Sequence, residues 1–407
     1  AWLIRAIIVG LHEDIDVFQA EFPGYAPVAA LASRIISMVK IGKRPISSVV
    51  QHNVEWDRLA EFGRDVRWIR PIEQWVLDRM DEVIAVSTDD KRRMVSAGTE
   101  ADKISIIPHG VDVSRFEQGI GEHVRAALGI RADDHVVFFH GTLHYWPNTE
   151  AVRFIAEELT PRIAAQVENL RVVISGQSPP EHFAHPCIEY TGSVERIEDY
   201  VAAADVCVCP IFSGGGTRMK LLEYMAGSRA IVSTTKGAEG IQYTEGRELL
   251  IADDADTMAT AVVDLLASPS RRQQMGRMAH GFASAYAWSS VGDASRSVYS
   301  GEGRGEDWNR HFQSAVQPVV DAHLPPLRVE SKPRTMLLLI NRGCNLKCSF
   351  CDLWSDFDQM DVAEQLVPLL DEAIAIDTKT LVITGGEPFI HPDLFVAVRE
   401  AKARGMS

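Results

Sequence analysis

A chain of 407 residues with 46% apolar side chains is long enough to bury two or three cores. Its formal charge of −15 argues against nucleic acid or an anionic membrane as the main partner, so any phosphate site must be a local positive spot. No apolar run approaches the roughly eighteen residues of a membrane span, and six cysteines in so long a chain do not read as a disulfide framework, which fits a reducing cytoplasm.

The opening AWLIRAIIVG is apolar, yet it has neither a charged leader nor a small-residue cleavage site. DIDVFQA, SSVVQHN, EVIAVS and ISIIPHG then read as short strands. PVAALASRIISMVK, PIEQWVLDRM and DDKRRMVSAG read as helices between them, and this alternation predicts a parallel sheet covered by helices. His52 follows SSVVQ at the carboxyl end of a strand, where ligands gather in open α/β sheets. From the residues alone, a satisfied loop histidine is the plainer reading. His109, in PHGVD, reads as a hinge or structural residue where the chain crosses between two units.

From about Asp112 to Ser300 a second α/β unit is nearly complete, with strands VVFFHG, RVVISG, IEYTG, DVCVCPI, RAIVST and ELLIAD. Helices such as TEAVRFIAEELTPRIAAQV and RIEDYVAAA alternate with them in a Rossmann-like order, but no G-x-G-x-x-G fingerprint is present, which argues against an NAD enzyme. Cys207 and Cys209 alternate on one strand and Cys187 precedes another, so core or structural roles are expected for all three. After the fourth strand comes SGGGTRMKLLEYMAG, Ser213 to Gly227: three glycines, then a helix predicted from about Thr217 to Ala226, with Gly227 as its stop. Arg218 and Lys220 fall in its first turn, where a cation costs about 0.3–1 kcal/mol against the helix dipole, so an anion is expected there. Glu223, one turn on, could reach a sugar hydroxyl beside that anion. The plain alternative is a capped loop with a surface Lys220–Glu223 pair.

Beyond Ser300 the composition turns rich in glycine and charge, reading as a linker with a helical patch around HFQSAVQPVV. Next, TMLLLINRGCNLKCSFCDLW sets Cys344, Cys348 and Cys351 in C-x3-C-x2-C spacing after an apolar strand. Three thiolates on one loop can cap three irons of a [4Fe–4S] cluster and leave the fourth open. A zinc site, recruiting His391, is the alternative. TLVITGGEP follows, a strand ending at Gly385, Gly386, Glu387 and Pro388.

The segment GGGTRMKLLEYMAGSRAIVSTTKGAEGI resembles the donor-binding signature of the family 4 glycosyltransferases of the GT-B fold, and DVFQAEFP, the HNVE run at His52 to Glu55 and IPHGVDVSRF resemble the same family. That signature holds two glutamates eight positions apart. Glu223 matches the second, which binds the nucleotide ribose, while the first falls on Gly215 and is missing. The resemblance implies retaining, metal-independent sugar transfer from a UDP- or GDP-linked donor. In it, Gly141 and Thr142 lie against the phosphates, with Arg218, Lys220 and the Gly214, Gly215 and Gly216 amides on the diphosphate and Thr217 beside them. Gly192, Ser193 and Val194 would frame the base, and His52 would face the donor sugar, so that His52, Arg218, Lys220 and Glu223 form the catalytic set. The acceptor is open: a glycan, a lipid-linked molecule or a small molecule, with peripheral membrane contact not excluded.

The cysteine spacing followed by GGEP resembles the radical S-adenosylmethionine superfamily. There the open iron takes the cofactor's methionine end, the residues matching Gly385 to Pro388 hold its amino group, and the position of Phe350 lies near the adenine. The expected architecture is therefore α/β throughout: a partial acceptor-side Rossmann-like domain at 1–111 and a donor-binding one at 112–300, forming a GT-B pair. A linker at 301–333 and the first two βα units of a radical SAM barrel at 334–407 follow. Both ends read as cut from a longer fused protein. Two rival functions stand beside sugar transfer: a radical SAM enzyme with an accessory sugar-nucleotide module, and a non-catalytic nucleotide binder.

Overall fold

The computed structural model describes residues 2–40, 44–61, 63–177, 183–301, 335–341, 366–375, 380–385 and 394–406. In the first unit, strands β1 (Val17–Glu21), β2 (Ile46–Gln51), β3 (Glu82–Ala85) and β4 (Ile104–Ile106) pair in parallel in the order β1-β2-β3-β4. β3 and β4 fall within their predicted segments, and β1 and β2 overlap theirs but each runs one residue beyond, at Glu21 and at Ile46, because short β-branched runs buried under helices on both faces admit little else. The apolar opening forms a helix, Trp2–His12, packed on the helix Ala26–Val39.

The second unit carries β5 (His135–His140), β6 (Leu170–Ser175), β7 (Ile188–Gly192), β8 (Val206–Cys209), β9 (Ala230–Ser233) and β10 (Leu250–Ile251). Their order is β10-β9-β8-β5-β6-β7, all parallel. The chain runs outward from β5 in one direction and then, from β8, in the other. The β5/β8 boundary is thus the switch point outside which α/β sheets bind ligands. Val136, Val137, Phe138 and Phe139 are all buried, as a central parallel strand requires. Cys207 and Cys209 lie fully buried in β8, and burial pushes both thiols up.

The chain returns from the second unit to the first through the helix Trp288–Ser300. Val111 N–H donates to Tyr286 O at 2.8 Å, and a Cβ on Gly110 would stand 2.6 Å from the Trp288 ring, so only glycine lets the crossing segment lie flat on that indole. Further along, Tyr299 Oη lies 3.1 Å from Ser48 Oγ and also bonds Gln19. These contacts make one packed side of the cleft.

In the last part, β11 (Thr335–Asn341) and β12 (Thr380–Gly385) pair in parallel with Asn341 opposite Gly385, so both strands end side by side. Leu366, Leu370, Leu394, Ala397, Ala401 and Met406 make a small separate core, against which Leu381 of β12 packs. Cys344, Phe350, Cys348, Cys351, Gly386, Glu387 and Pro388 lie outside the described residues, as does the linker with its predicted helical patch. No helix among the described residues is long and apolar enough to cross a membrane.

Candidate active site

The loops after β5 and β8 flank the switch point, and the helix behind the glycine loop begins later than the sequence suggests. It spans Met219–Ala226, so Thr217 is outside it and Arg218 is the residue before its first turn. The difference has a local cause. The Arg218 guanidinium folds back onto its own loop, donating to Gly216 O at 2.8 Å, Ser213 O at 3.2 Å, and the carbonyls of Gly214 and Gly215. Arg218 thereby satisfies a ring of loop carbonyls that no secondary structure would otherwise pair. Gly214 and Gly216 take φ of +85° and +79°, which is why glycine is needed there. At the other end, Gly227 stops the helix as expected, but not in a left-handed conformation. Its φ is −77°, and its missing Cβ makes room for Val201, while the left-handed turn falls on Ser228.

The helix is fixed by its apolar face, Leu221, Leu222, Tyr224 and Met225, all fully buried. Tyr224 Oη accepts from the His140 N–H at 3.2 Å, tying the helix to the end of β5. That tie brings Glu223 Oε2 to 3.1 Å from His140 Nε2, an ion-pair distance without hydrogen-bond alignment. Burial raises the Glu223 carboxyl, but His140, Lys220 and Arg115 outweigh it and hold the group below its ordinary value. His140 was not among the residues singled out from the sequence. The only signal for it there is its place at the carboxyl end of a central strand.

Lys220 is buried, with its Nζ donating to Asn148 Oδ1 at 2.7 Å and lying 4.1 Å from the centre of the Phe139 ring. Asn148 in turn donates to Thr142 O at 2.9 Å. A Cβ on Gly141 would come within 3.0 Å of Lys220 Nζ. The ammonium therefore sits directly against the Gly141–Thr142 loop. Burial, and after it the charge of Arg218, lowers its pKa to about 8 although Glu223 works the other way.

Beside this group lies a cavity of about 340 Å³ lined by His140, Gly141, Thr142, Ser175, Gly176, Gln177, Ser193, Val194 and Ile197. Gly141, Thr142, Ser193 and Val194, expected from the sequence, thus line one cavity, and Gly192 ends the adjoining strand with φ of +72°. Gly176 N–H donates to Gly192 O at 2.8 Å, and a Cβ on Gly176 would lie 1.9 Å from Gly141 O. A more open groove of about 400 Å³ runs along β10 and is lined by Asp256, Thr257, Asp264 and Arg271 among others, but by none of the expected site residues.

Across the cleft, His52 Nε2 lies 2.6 Å from Glu21 Oε2, and its ring stacks on His109 at 5.2 Å with 3° between planes. His109, at the crossing between the units, is thus a direct neighbour of His52. Burial, then the adjacent His52, pushes His109 down to about 4. The cluster touches the glycine loop. A Cβ on Gly216 would meet Asn53 Oδ1 at 2.5 Å and His52 O at 3.1 Å, and a Cβ on Gly215 would meet Asn53 Oδ1 at 3.4 Å. A carboxylate from the first unit, Glu61, accepts from Gly214 N–H at 2.8 Å. Sequence reasoning missed Glu61, since nothing in EWDRLAE marks one acid over another.

Residues 1–115 match the family model described as Glycosyltransferase Family 4, residues 134–268 that of Glycosyl transferases group 1, and residues 338–406 that of the Radical SAM superfamily. A curated relative, D-inositol 3-phosphate glycosyltransferase 2 of Catenulispora acidiphila, is 27% identical over 247 residues, covering 56% of this chain and 58% of its own. D-inositol 3-phosphate glycosyltransferase of Rhodococcus opacus is 25% identical over 240 residues, covering 54% and 53%. The chain therefore spans little more than half the length of these relatives. Among solved structures, Anabaena HepE in complex with UDP superposes with a TM-score of 0.62 at 14% identity, over 74% of this chain and 82% of that one. A glycosyltransferase from Rickettsia africae gives 0.60 at 12% identity, over 74% and 80%. At such identities these structures establish the shared fold.

Proposed function

We infer, for a chain that carries the family 4 and group 1 glycosyltransferase domains of a GT-B fold followed by a radical SAM segment, that it moves a sugar from a UDP- or GDP-linked donor to an acceptor. The observation that carries this reading is the buried Lys220 ammonium lodged against the Gly141–Thr142 loop, next to the Glu223–His140 pair and the 340 Å³ cavity. The units would divide at 1–111, 112–300, 301–333 and 334–407.

In this reading the donor diphosphate lies between the Gly141–Thr142 loop and the start of the Met219–Ala226 helix, with the Gly214–Gly216 loop alongside. Lys220 balances the charge that builds on the leaving diphosphate, in a site where burial strengthens the attraction. Arg218 acts as a positioning residue, because its guanidinium already holds four loop carbonyls. Glu223 receives the ribose hydroxyls, oriented by His140, and the Gly192–Val194 backbone frames the base. His52, held by Glu21 and the stacked His109, faces the transferred sugar. No group in this set is an obvious covalent nucleophile, which accords with retention by a leaving-group-directed route.

The radical SAM segment would hold a [4Fe–4S] cluster on Cys344, Cys348 and Cys351, a donor set of three thiolates that suits three irons. S-adenosylmethionine would bind at Gly385, Gly386, Glu387, Pro388 and Phe350 and supply radical chemistry when present.

UDP, which the HepE structure contains, is the first ligand to test, with GDP beside it. Calorimetry is expected to show binding that EDTA leaves unchanged. Glu223→Ala should weaken it by about 1.5–3 kcal/mol, the worth of a charge-assisted hydrogen bond. Binding abolished by EDTA, or full affinity in the variant, overturns the assignment.

A further inference from the structure

The helix Ile69–Leu77 in the first unit buries Val76 and Leu77 against the core, yet it also carries large apolar side chains on its outer face. It turns Trp68, Ile72 and Trp75 outward, 76%, 60% and 50% exposed, while Glu73 points inward and is 4% exposed. The outward three recur at spacings of four and three, so they share one face. Glu73 is occupied inside, accepting from Gln51 Nε2 at 2.9 Å, Trp56 N–H at 3.1 Å and Glu55 N–H at 3.2 Å. The inward acid has a structural task, and the outward tryptophans have none within the chain's own core.

The neighbouring helix Ala26–Val39 continues the pattern. It exposes Leu31 and Met38 with Arg34 between them, and Arg34 Nη2 reaches Arg79 O at 3.4 Å, joining the two helices at the surface. Charge on these spans runs against the chain's balance of −15. Residues 26–39 contain no acid, and residues 64–79 bring Arg64, Arg67, Arg70 and Arg79 against the exposed Asp65 and Asp78. The Arg79 guanidinium lies 4.0 Å from the centre of the Trp75 ring, so the charge rides on the aromatic face.

We propose that this two-helix face docks the protein on an anionic lipid bilayer, with Trp68, Ile72 and Trp75 entering the headgroup region and the arginines meeting lipid phosphates. Tryptophan beside arginine on one side of a helix is the chemistry of an interfacial surface. The local positive charge explains how an acidic chain approaches a negative membrane, since attraction acts over about one Debye length, roughly 8 Å. The inference is independent of the sugar-transfer reading.

The test is flotation of the full chain with phosphatidylcholine vesicles, with and without about a third phosphatidylglycerol. Wild type is expected to float with the anionic vesicles and to lose this as salt rises. Trp68→Ala, Ile72→Ala and Trp75→Ala together should lower the partition at least about tenfold. Arg64→Gln and Arg79→Gln should each lower it about fivefold. Circular dichroism and an unchanged melting temperature separate loss of docking from loss of fold, and a triple variant that fails to fold leaves the arginine variants as the deciding measurement. Failure of wild type to float, equal flotation of the arginine variants, or a concentration-dependent dimer that the triple variant abolishes in sedimentation would each overturn the proposal.

Discussion

Lys220 shows how a single side chain can be costly to the apo fold and useful to the ligand. Its ammonium is buried against Phe139 with one hydrogen bond, to Asn148, and burial brings its pKa from 10.5 to about 8. A lysine depressed in the folded state binds fewer protons there than when unfolded. Stability therefore rises with pH between about 8 and 10.5, and the penalty is fully present below that window. A diphosphate beside the ammonium reverses the preference by favouring the charged form. Binding of UDP near pH 8 should then take up a fraction of a proton, and affinity should fall as pH climbs past 8. Calorimetry in buffers of different ionisation enthalpy reads both effects. Lys220→Met should bind more weakly, lose the proton uptake, and melt no lower than wild type at pH 7. A variant that keeps the uptake would assign the proton to another group.

At the scale of elements, the two loops after β5 and β6 are pressed together more tightly than any sequence pattern reveals. Gly141 N–H donates to Ser175 O at 3.1 Å, and Gly176, at φ +135°, leaves no room for a Cβ beside Gly141 O. Gly176→Ala should thus push the β5 loop away from Lys220. Backbone strain of about 1–3 kcal/mol should lower the melting temperature, and UDP affinity should fall with it; an alanine variant with wild-type affinity would show the loops to be independent. The strands themselves were legible because apolar runs such as VVFFH and VCVC have no other stable fate, and the glycine loop was legible because three glycines before a helix are rarely idle. Register and reach were not. Whether Arg218 faces an anion or curls onto Ser213–Gly216 depends on loop carbonyls left unpaired, and composition does not report those. His140 gains its meaning only from Tyr224 and Glu223, some eighty residues downstream. The cysteine motif is the opposite case, since its chemistry is local. Anaerobic reconstitution should give about four irons per chain, lost in Cys348→Ala, and stoichiometric zinc would displace the iron–sulfur reading.

Across the whole molecule, one side of the cleft is held by packing and the other by charge. On the first side, Gly110 lies on Trp288, Val111 bonds Tyr286, and the half-buried Tyr299 lies against Ser48. On the second, Lys236 Nζ lies 2.7 Å from Glu61 Oε1 and 2.8 Å from Glu239 Oε2, while Arg93 reaches Asp57 at 3.2 Å and also Glu239. Glu61 completes the chain by taking the Gly214 amide. Apolar contacts barely respond to salt, whereas partly exposed ion pairs contribute only about 0–1 kcal/mol each and are screened. A few such pairs sum to roughly 1–2 kcal/mol, enough to bias the two units together by about five- to thirtyfold but not to lock them. The packed side should then act as the hinge and the charged side as the opening edge. Small-angle scattering should report a larger radius of gyration for Glu61→Ala/Arg93→Ala at low salt. Wild type should approach that value near 1 M salt, where the Debye length is about 3 Å. UDP, bridging both loops, should return the variant to the compact form. A radius insensitive to both salt and substitution would mean that packing alone joins the units, and the ion pairs would then be passengers of a closed fold.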